Sequence, residues 1–146
     1  IPYKPNSGDV GHDVYPAFDA DYIEIKPGEV ELISTGIKSA FSEEYAIILK
    51  ERSSLGSKGI KVNAGVIDAG YRGEWKVALY NTTDKPVLIA KYPEDWSDEE
   101  AVTLDYNNAI AQAIIIDSYN LNPEIVEDVN EFNSNRRENG FGSTDR

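Results

Sequence analysis

Four stretches of this chain combine residue types that suit chemistry on a phosphate. Arg52-Ser53-Ser54-Leu55-Gly56-Ser57-Lys58-Gly59 holds an arginine, three serines, a lysine and two glycines in eight residues. The cations meet an anion and the glycines let the backbone approach it, as a phosphate cradle requires. The same composition suits a polar loop punctuated by glycine, and the G-x-x-x-x-G-K-[ST] spacing of a P-loop is not present. Further on, Ala64-Gly65-Val66-Ile67 is too apolar for an exposed loop and ends in a lone carboxylate, Asp68, with Tyr71 three residues beyond. Asp68 reads either as the cap of a turn into Gly70 or as a general base, with Tyr71 packed against a ring. Gly11-His12-Asp13 sets another carboxylate beside a glycine, suited to a turn or to a water on a metal ion. Arg136 to Arg146 carries three arginines and a phenylalanine between glycines, Gly140-Phe141-Gly142, followed by Ser143 and Thr144. Such a tail is either a frayed terminus or a lid that stacks a ring and grips phosphate oxygens.

Bulk composition narrows the classes. The 146 residues, 40% of them hydrophobic, allow one well-buried domain and not two ordinary ones. A formal net charge of −12 repels nucleic-acid backbones and anionic membranes, so direct nucleic-acid binding is not expected. An anionic ligand must be met by a local basic cluster or a divalent cation. With no cysteine there is no disulfide or thiolate metal site, and the composition fits a reducing, cytoplasmic setting. His12 is the only histidine, which excludes a multi-histidine zinc site within one chain. No apolar run approaches the roughly 20 residues that span a bilayer as a helix. The chain opens on Ile1 and not on methionine, which leaves its true N-terminus open.

The elements that must position these residues read as strands. Tyr22 to Ile25 alternates and stops at Pro27-Gly28, and Val30 and Leu32 resume the alternation. Tyr45 to Leu49 is a short apolar run, and Trp75, Val77 and Leu79 share one face of another strand. Val87 to Ala90, Val102 to Leu104, Ile110 to Ile116 and Ile125 to Val129 complete the expected set. No segment sustains a 3.6-residue period, although Ser97-Asp98-Glu99-Glu100 has a capping-box pattern that predicts one short helix after Pro93. The pattern predicts an all-β sandwich or barrel of many short strands with at most one short helix. Its expected limits are residues 1–134, with residues 135–146 as a mobile C-terminal lid.

In order, Gly-x-Asp, Arg-Ser-Ser-Leu-Gly-Ser-Lys-Gly, Gly-Val-Ile-Asp-x-x-Tyr-x-Gly, Ile110-Ala111-Gln112 and Arg-x-x-x-Gly-Phe-Gly-Ser-Thr resemble the five motifs of the trimeric dUTPase family. The resemblance runs from Gly11 to Asp145. It implies a jelly-roll-like β-sandwich that assembles into a homotrimer with shared active sites and hydrolyses dUTP to dUMP and pyrophosphate with Mg²⁺. It further implies that Asp68 activates the water attacking the α-phosphorus and that Tyr71 packs under the deoxyribose. By the same resemblance, the backbone from Val62 through Asn63 and Gly65 to Val66 reads uracil, and Arg52, Ser53, Ser54, Gly56 and Gln112 hold the phosphate chain. Asp13 would orient a water on Mg²⁺, itself held mainly by substrate phosphates. Phe141 would stack over uracil, and Arg136, Gly142, Ser143 and Thr144 would grip the γ-phosphate.

The chain departs from that pattern at His12 for tyrosine, Ala109 for arginine or lysine, Arg137 for glycine and Asp145 for the final glycine. Between Asn81 and Gln112 it is longer than compact members, an insertion expected around 92–108 that holds Trp96, Tyr106 and many acids. Some phage-encoded relatives carry insertions and engage host regulatory proteins, so this segment is either a solvated loop or a surface for a regulatory protein partner; a phage-encoded member would work in the host cytoplasm. A second rival is the related dCTP deaminase, which needs a catalytic glutamate on the strand after the third motif. This chain has Ala78 there, and Trp75 to Tyr80 offers no acid.

Overall fold

The computed structural model describes residues 2–97, 99–119, 121–129 and 132. Ten strands form three sheets: β1 (His12–Val14), β2 (Tyr22–Ile25), β3 (Val30–Ser34), β4 (Tyr45–Lys50), β5 (Ile60–Asn63), β6 (Val66–Ile67), β7 (Lys76–Asn81), β8 (Val87–Ala90), β9 (Val102–Asp105) and β10 (Ala111–Asp117). The orders are β1-β10-β4-β6, β2-β8-β9 and β3-β7-β5. Every described pairing is antiparallel except β8 with β9. The all-β, jelly-roll-like expectation is met, with one helical turn, α1 (Ser53–Gly56), and one 3₁₀ turn at Pro93–Asp95.

Period-two alternation explains how the strands face inward. Val77 and Leu79 of β7 are buried on the side that Trp75 also covers, while Lys76 is exposed on the other. β8 is buried along its whole length, because β2 and β9 flank it and both its faces are covered. Ile25, Ile33, Leu49, Ile60, Val77, Leu79, Ile89 and Ile110 form the centre of the core. Each such side chain contributes about 1.5–3 kcal/mol when fully buried.

One fully buried polar residue, Asn81, is satisfied on all sides. Its Nδ2 donates to the carbonyls of Ile25 and Lys85, each at 2.8 Å. Its Oδ1 accepts from the Thr83 N–H at 2.9 Å and the Thr83 hydroxyl at 2.8 Å. These bonds tie the β7–β8 turn to β2, and a fully paired amide avoids the cost of burying an orphaned polar group.

Two expectations are corrected. Ile125 to Val129 forms no strand; Ile125 is 100% exposed. β10 already carries β1 on one side and β4 on the other, so that later apolar run finds no free edge there. The capping-box residues Ser97 and Glu100 do meet, Oγ to Oε2 at 2.8 Å, but they close only a turn. The chain must extend at Val102 to pair with β8, so no helix propagates.

Candidate active site

The first, second and fourth sequence motifs meet at the open end of the β1-β10-β4 sheet. Register pairs Asp13 of β1 with Gln112 of β10, and β10 pairs with β4, which runs into Glu51 and Arg52. A side chain at Gly11 would collide with Gln112 Oε1, so the glycine is what admits the glutamine beside β1. Gln112 Nε2 donates to the Glu51 carbonyl at 3.0 Å. Arg52 Nε lies 3.2 Å from Asp13 Oδ1, and Asp13 is only 9% exposed. A carboxylate this buried calls for a cationic partner, and Arg52 supplies it. The Arg52 carbonyl accepts from the N–H groups of Leu55 and Gly56 at 3.0 and 2.9 Å, which starts α1 and leaves Ser53 and Ser54 exposed beside the guanidinium.

Glu51 joins this group unannounced by the sequence. Its own backbone N–H holds its carboxyl below the usual carboxylate range, against the opposing effect of burial. Lys50, 3.4 Å away, and the Val62 N–H add to the lowering. Nothing in a Lys-Glu-Arg run signals this, because it depends on Val62 of β5 being brought beside Glu51.

The third motif builds a separate cavity. β5 pairs with β7 and β6 pairs with β4, so the β5–β6 turn bridges two sheets. Ala64 (φ 57°) and Gly65 (φ 101°) take left-handed conformations there. Gly65 accepts the Leu49 N–H at 2.7 Å, and a Cβ at Gly65 would lie 2.7 Å from the Leu49 carbonyl oxygen. Glycine alone meets both demands.

Beneath the turn is a cavity of about 340 Å³ lined by Asn63, Gly65, Val66, Asp68, Tyr71 and neighbours. Asp68 is exposed at the end of β6, and its side chain makes no hydrogen bond or ion pair among the described residues. Its backbone carbonyl accepts the Tyr71 N–H at 3.0 Å, closing the turn without the side chain. The Tyr71 hydroxyl donates to the Glu74 carbonyl at 3.1 Å, and any side chain at Gly73 would strike the Tyr71 ring. The ring is thus braced while 44% exposed. Glu74 is occupied elsewhere, accepting from the N–H groups of Thr35 and Gly36 at 3.2 and 2.8 Å. β7 itself carries no carboxylate.

The cavity of Asp68 and Tyr71 contains neither Arg52, Ser53 nor Gln112. The chain therefore presents two separate regions: a polar cluster around Arg52 and a hairpin cavity around Asp68. Arg136, Phe141, Gly142, Ser143 and Thr144 lie outside the described residues, as do Arg137 and Asp145. Magnesium is bound through one or two carboxylates plus ligand phosphates and keeps several waters. Asp13 is a carboxylate of that kind, and no cluster of three or more His, Cys, Asp or Glu occurs among the described residues. The donors fit a cation carried in by a phosphate ligand better than one caged by protein.

A model of the dUTPase family matches residues 1–93. The deoxyuridine 5'-triphosphate nucleotidohydrolase of Hydrogenobaculum sp. (strain Y04AAS1) is 36% identical across 99% of this chain and 89% of that protein. The chain belongs to the dUTPase family. The nucleotidohydrolase of Clostridium novyi (strain NT) matches equally well, at 36% identity over the same shares. In fold, this dUTPase is similar to the Staphylococcus bacteriophage 80alpha dUTPase G164S mutant with dUpNHpp, with a TM-score of 0.77 and 23% identity over 98% of this chain and 90% of that one. The EIAV dUTPase shares the fold too, with a TM-score of 0.68 and 20% identity over 88% and 92%. The family match ends at residue 93.

Proposed function

We propose that this dUTPase hydrolyses dUTP to dUMP and pyrophosphate with Mg²⁺, at sites shared between the subunits of a homotrimer. The observation that carries the reading is the carboxylate of Asp68, unpaired among the described residues, at the rim of the hairpin cavity. A base must have an oxygen free to take a proton, and Asp68 has one where Asp13 is held by Arg52. Asp68 takes a proton from a water whose oxygen attacks the α-phosphorus. The bond from that phosphorus to the bridging oxygen breaks, and pyrophosphate leaves with the electron pair.

The other residues bind and orient. Backbone groups from Val62 to Val66 take the edge of uracil, and the braced ring of Tyr71 lies under the deoxyribose where a 2′-hydroxyl would clash. Arg52, Ser53, Ser54, Gly56 and Gln112 hold the phosphate chain, and Asp13 orients a water on Mg²⁺. When bound, the metal neutralises phosphate charge in a chain whose net charge is −12. Phe141 and the arginine and hydroxyls of the tail close the site over the nucleotide and exclude water.

Sharing between subunits is supported by the separation of the two regions and by apolar surface. Phe41, Tyr45, Ile47 and Ile115 line a groove of about 360 Å³, and Leu32 and Val66 are exposed beside the hairpin cavity. Exposed apolar groups on that scale favour burial against another copy. The reading is tested by measuring pyrophosphate release from dUTP, dCTP, dTTP and UTP. Release confined to dUTP is expected; ammonia release from dCTP would support the deaminase instead.

A further inference from the structure

The ring of Tyr71 rests on a platform made by the two residues that follow Arg72. A side chain at Gly73 would strike the ring, and the Tyr71 hydroxyl donates to the Glu74 carbonyl at 3.1 Å. Ring and platform form one unit, so the groups that fix the platform also fix the ring. On the N-terminal side, Arg72 Nη1 closes the loop by donating to the carbonyls of Ala69 at 2.6 Å and Tyr71 at 3.1 Å. On the C-terminal side, Trp75 sits in the core at 3% exposure and is tied to the segment that follows β3. Its N–H donates to the Ile37 carbonyl at 2.8 Å, and its carbonyl accepts the Thr35 hydroxyl at 2.7 Å.

Between these anchors stands Glu74, which is half-buried. Its Oε1 accepts from two consecutive N–H groups, those of Thr35 at 3.2 Å and Gly36 at 2.8 Å. Gly36 turns the chain there at φ 68°, and successive N–H groups at such a turn make a concave seat for an anion. Hydrogen bonds to an ionised acceptor are about twice as strong as neutral ones. No salt bridge draws Glu74 away among the described residues. The carboxylate therefore binds the end of β3, while the carbonyl of the same residue holds the tyrosine hydroxyl.

Tyr71 and Glu74 line the same cavity as Asn63, Gly65 and Asp68. The room inside it is set by how far the ring stands from the hairpin backbone. We infer that Glu74 is a specificity-positioning residue: it sets the height of the Tyr71 ring, and with it the space at the 2′ position of the sugar. The inference rests on the proposed place of Tyr71 under the deoxyribose. A wall that rejects an added hydroxyl by contact does so only while it is held still. Misplacing a positioned group by about 1 Å can cost about 10²-fold in an enzyme reaction, so a support that acts only through Tyr71 is enough.

The test measures affinity by calorimetry, on the full-length protein with Mg²⁺, for the non-hydrolysable α,β-imido analogues of dUTP and UTP. The proteins are wild type, Glu74→Ala, Glu74→Gln, Tyr71→Phe and Tyr71→Leu, and the readout is the preference for the deoxy analogue. Steric rejection of an added hydroxyl is worth about 10²-fold, so Glu74→Ala should lower that preference about tenfold, chiefly because the ribose analogue binds better. Glu74→Gln keeps an oxygen for the same two N–H groups and should retain most of the preference. Tyr71→Phe keeps the ring but loses its tie to Glu74; its preference should fall several-fold, and it tests the link even if Glu74→Ala does not fold. A merely structural Glu74 would lower the melting temperature and weaken both analogues alike. An unmoved preference in Glu74→Ala or in Tyr71→Phe, beside a lowered one in Tyr71→Leu, would overturn the inference and leave the sugar reading standing. A wild-type preference in Tyr71→Leu, or no binding of either analogue to wild type, would refute the sugar reading and the inference with it.

Discussion

The regions around Arg52 and around Asp68 are built on opposite principles. Around Arg52 the polar groups hold each other: Asp13 pairs with Arg52, and Gln112 is bonded to the Glu51 carbonyl. Around Asp68 the backbone is held, by a left-handed turn and a braced tyrosine, while the carboxylate stands free. A binding region gains from side chains fixed before the ligand arrives, since less ordering entropy is lost on binding. A base must keep an open lone pair, so its precision has to come from the backbone beneath it. On the proposed reading the difference separates positioning from chemistry within one chain, and mutations should separate them as well.

The largest expected effect is from Asp68→Asn. It should lower the rate of pyrophosphate release from dUTP by roughly 10²–10⁴-fold, the usual contribution of a positioned base, with the melting temperature unchanged. Full activity would refute the base assignment.

Gly65→Ala should come next and touch both fold and function. At φ 101° a side chain is strained, and its Cβ would press on the Leu49 carbonyl. The expected cost is about 1–3 kcal/mol of stability, read by chemical denaturation, with a raised KM because the hairpin is displaced. A variant as stable as wild type would show that the turn does not need glycine.

Arg52→Lys should spare stability and impair binding. The lysine keeps a cation beside the buried Asp13 carboxylate, and the Arg52 side chain is itself partly exposed, so the cost in stability should be about 1 kcal/mol or less. A lysine keeps the charge but not the planar fork, and KM for dUTP should rise several-fold. If stability fell and KM did not, the pair would be structural and the comparison would fail on that side.

The smallest effect concerns Glu51. Its folded-state pKa is depressed, so it contributes stability above the unfolded-state value of about 4.3 and loses it as pH falls through the folded value. Glu51→Gln should therefore flatten the acid limb of melting temperature against pH below about pH 4 while leaving pH 7 activity nearly intact. Discounted for partial exposure, the change at neutral pH should stay under about 1 kcal/mol.

Much of this was legible in the sequence. Alternation at Trp75, Val77 and Leu79 announced β7, and Tyr45 to Leu49 announced β4, because a two-sided strand writes its burial directly into residue type. Ile125 to Val129 looked equally strand-like but found no partner, since a strand exists only where another offers an edge. The Ser97–Glu100 pair formed its local bond without a helix, the pairing of β9 with β8 having prevailed over local propensity.

By itself the sequence determined the family, the all-β class and the candidate chemical groups, because motif order and alternation are local, one-dimensional properties. Tertiary structure alone decided which groups are bound and which are free. Asp13 and Asp68 are the same residue type beside glycines, yet strand register places Arg52 against the first and leaves the second open. It also decided that Thr103, an ordinary strand residue in sequence, keeps a buried hydroxyl without a hydrogen-bond partner among the described residues. Partnership depends on what distant segments bring within about 3 Å, and that is set by sheet pairing.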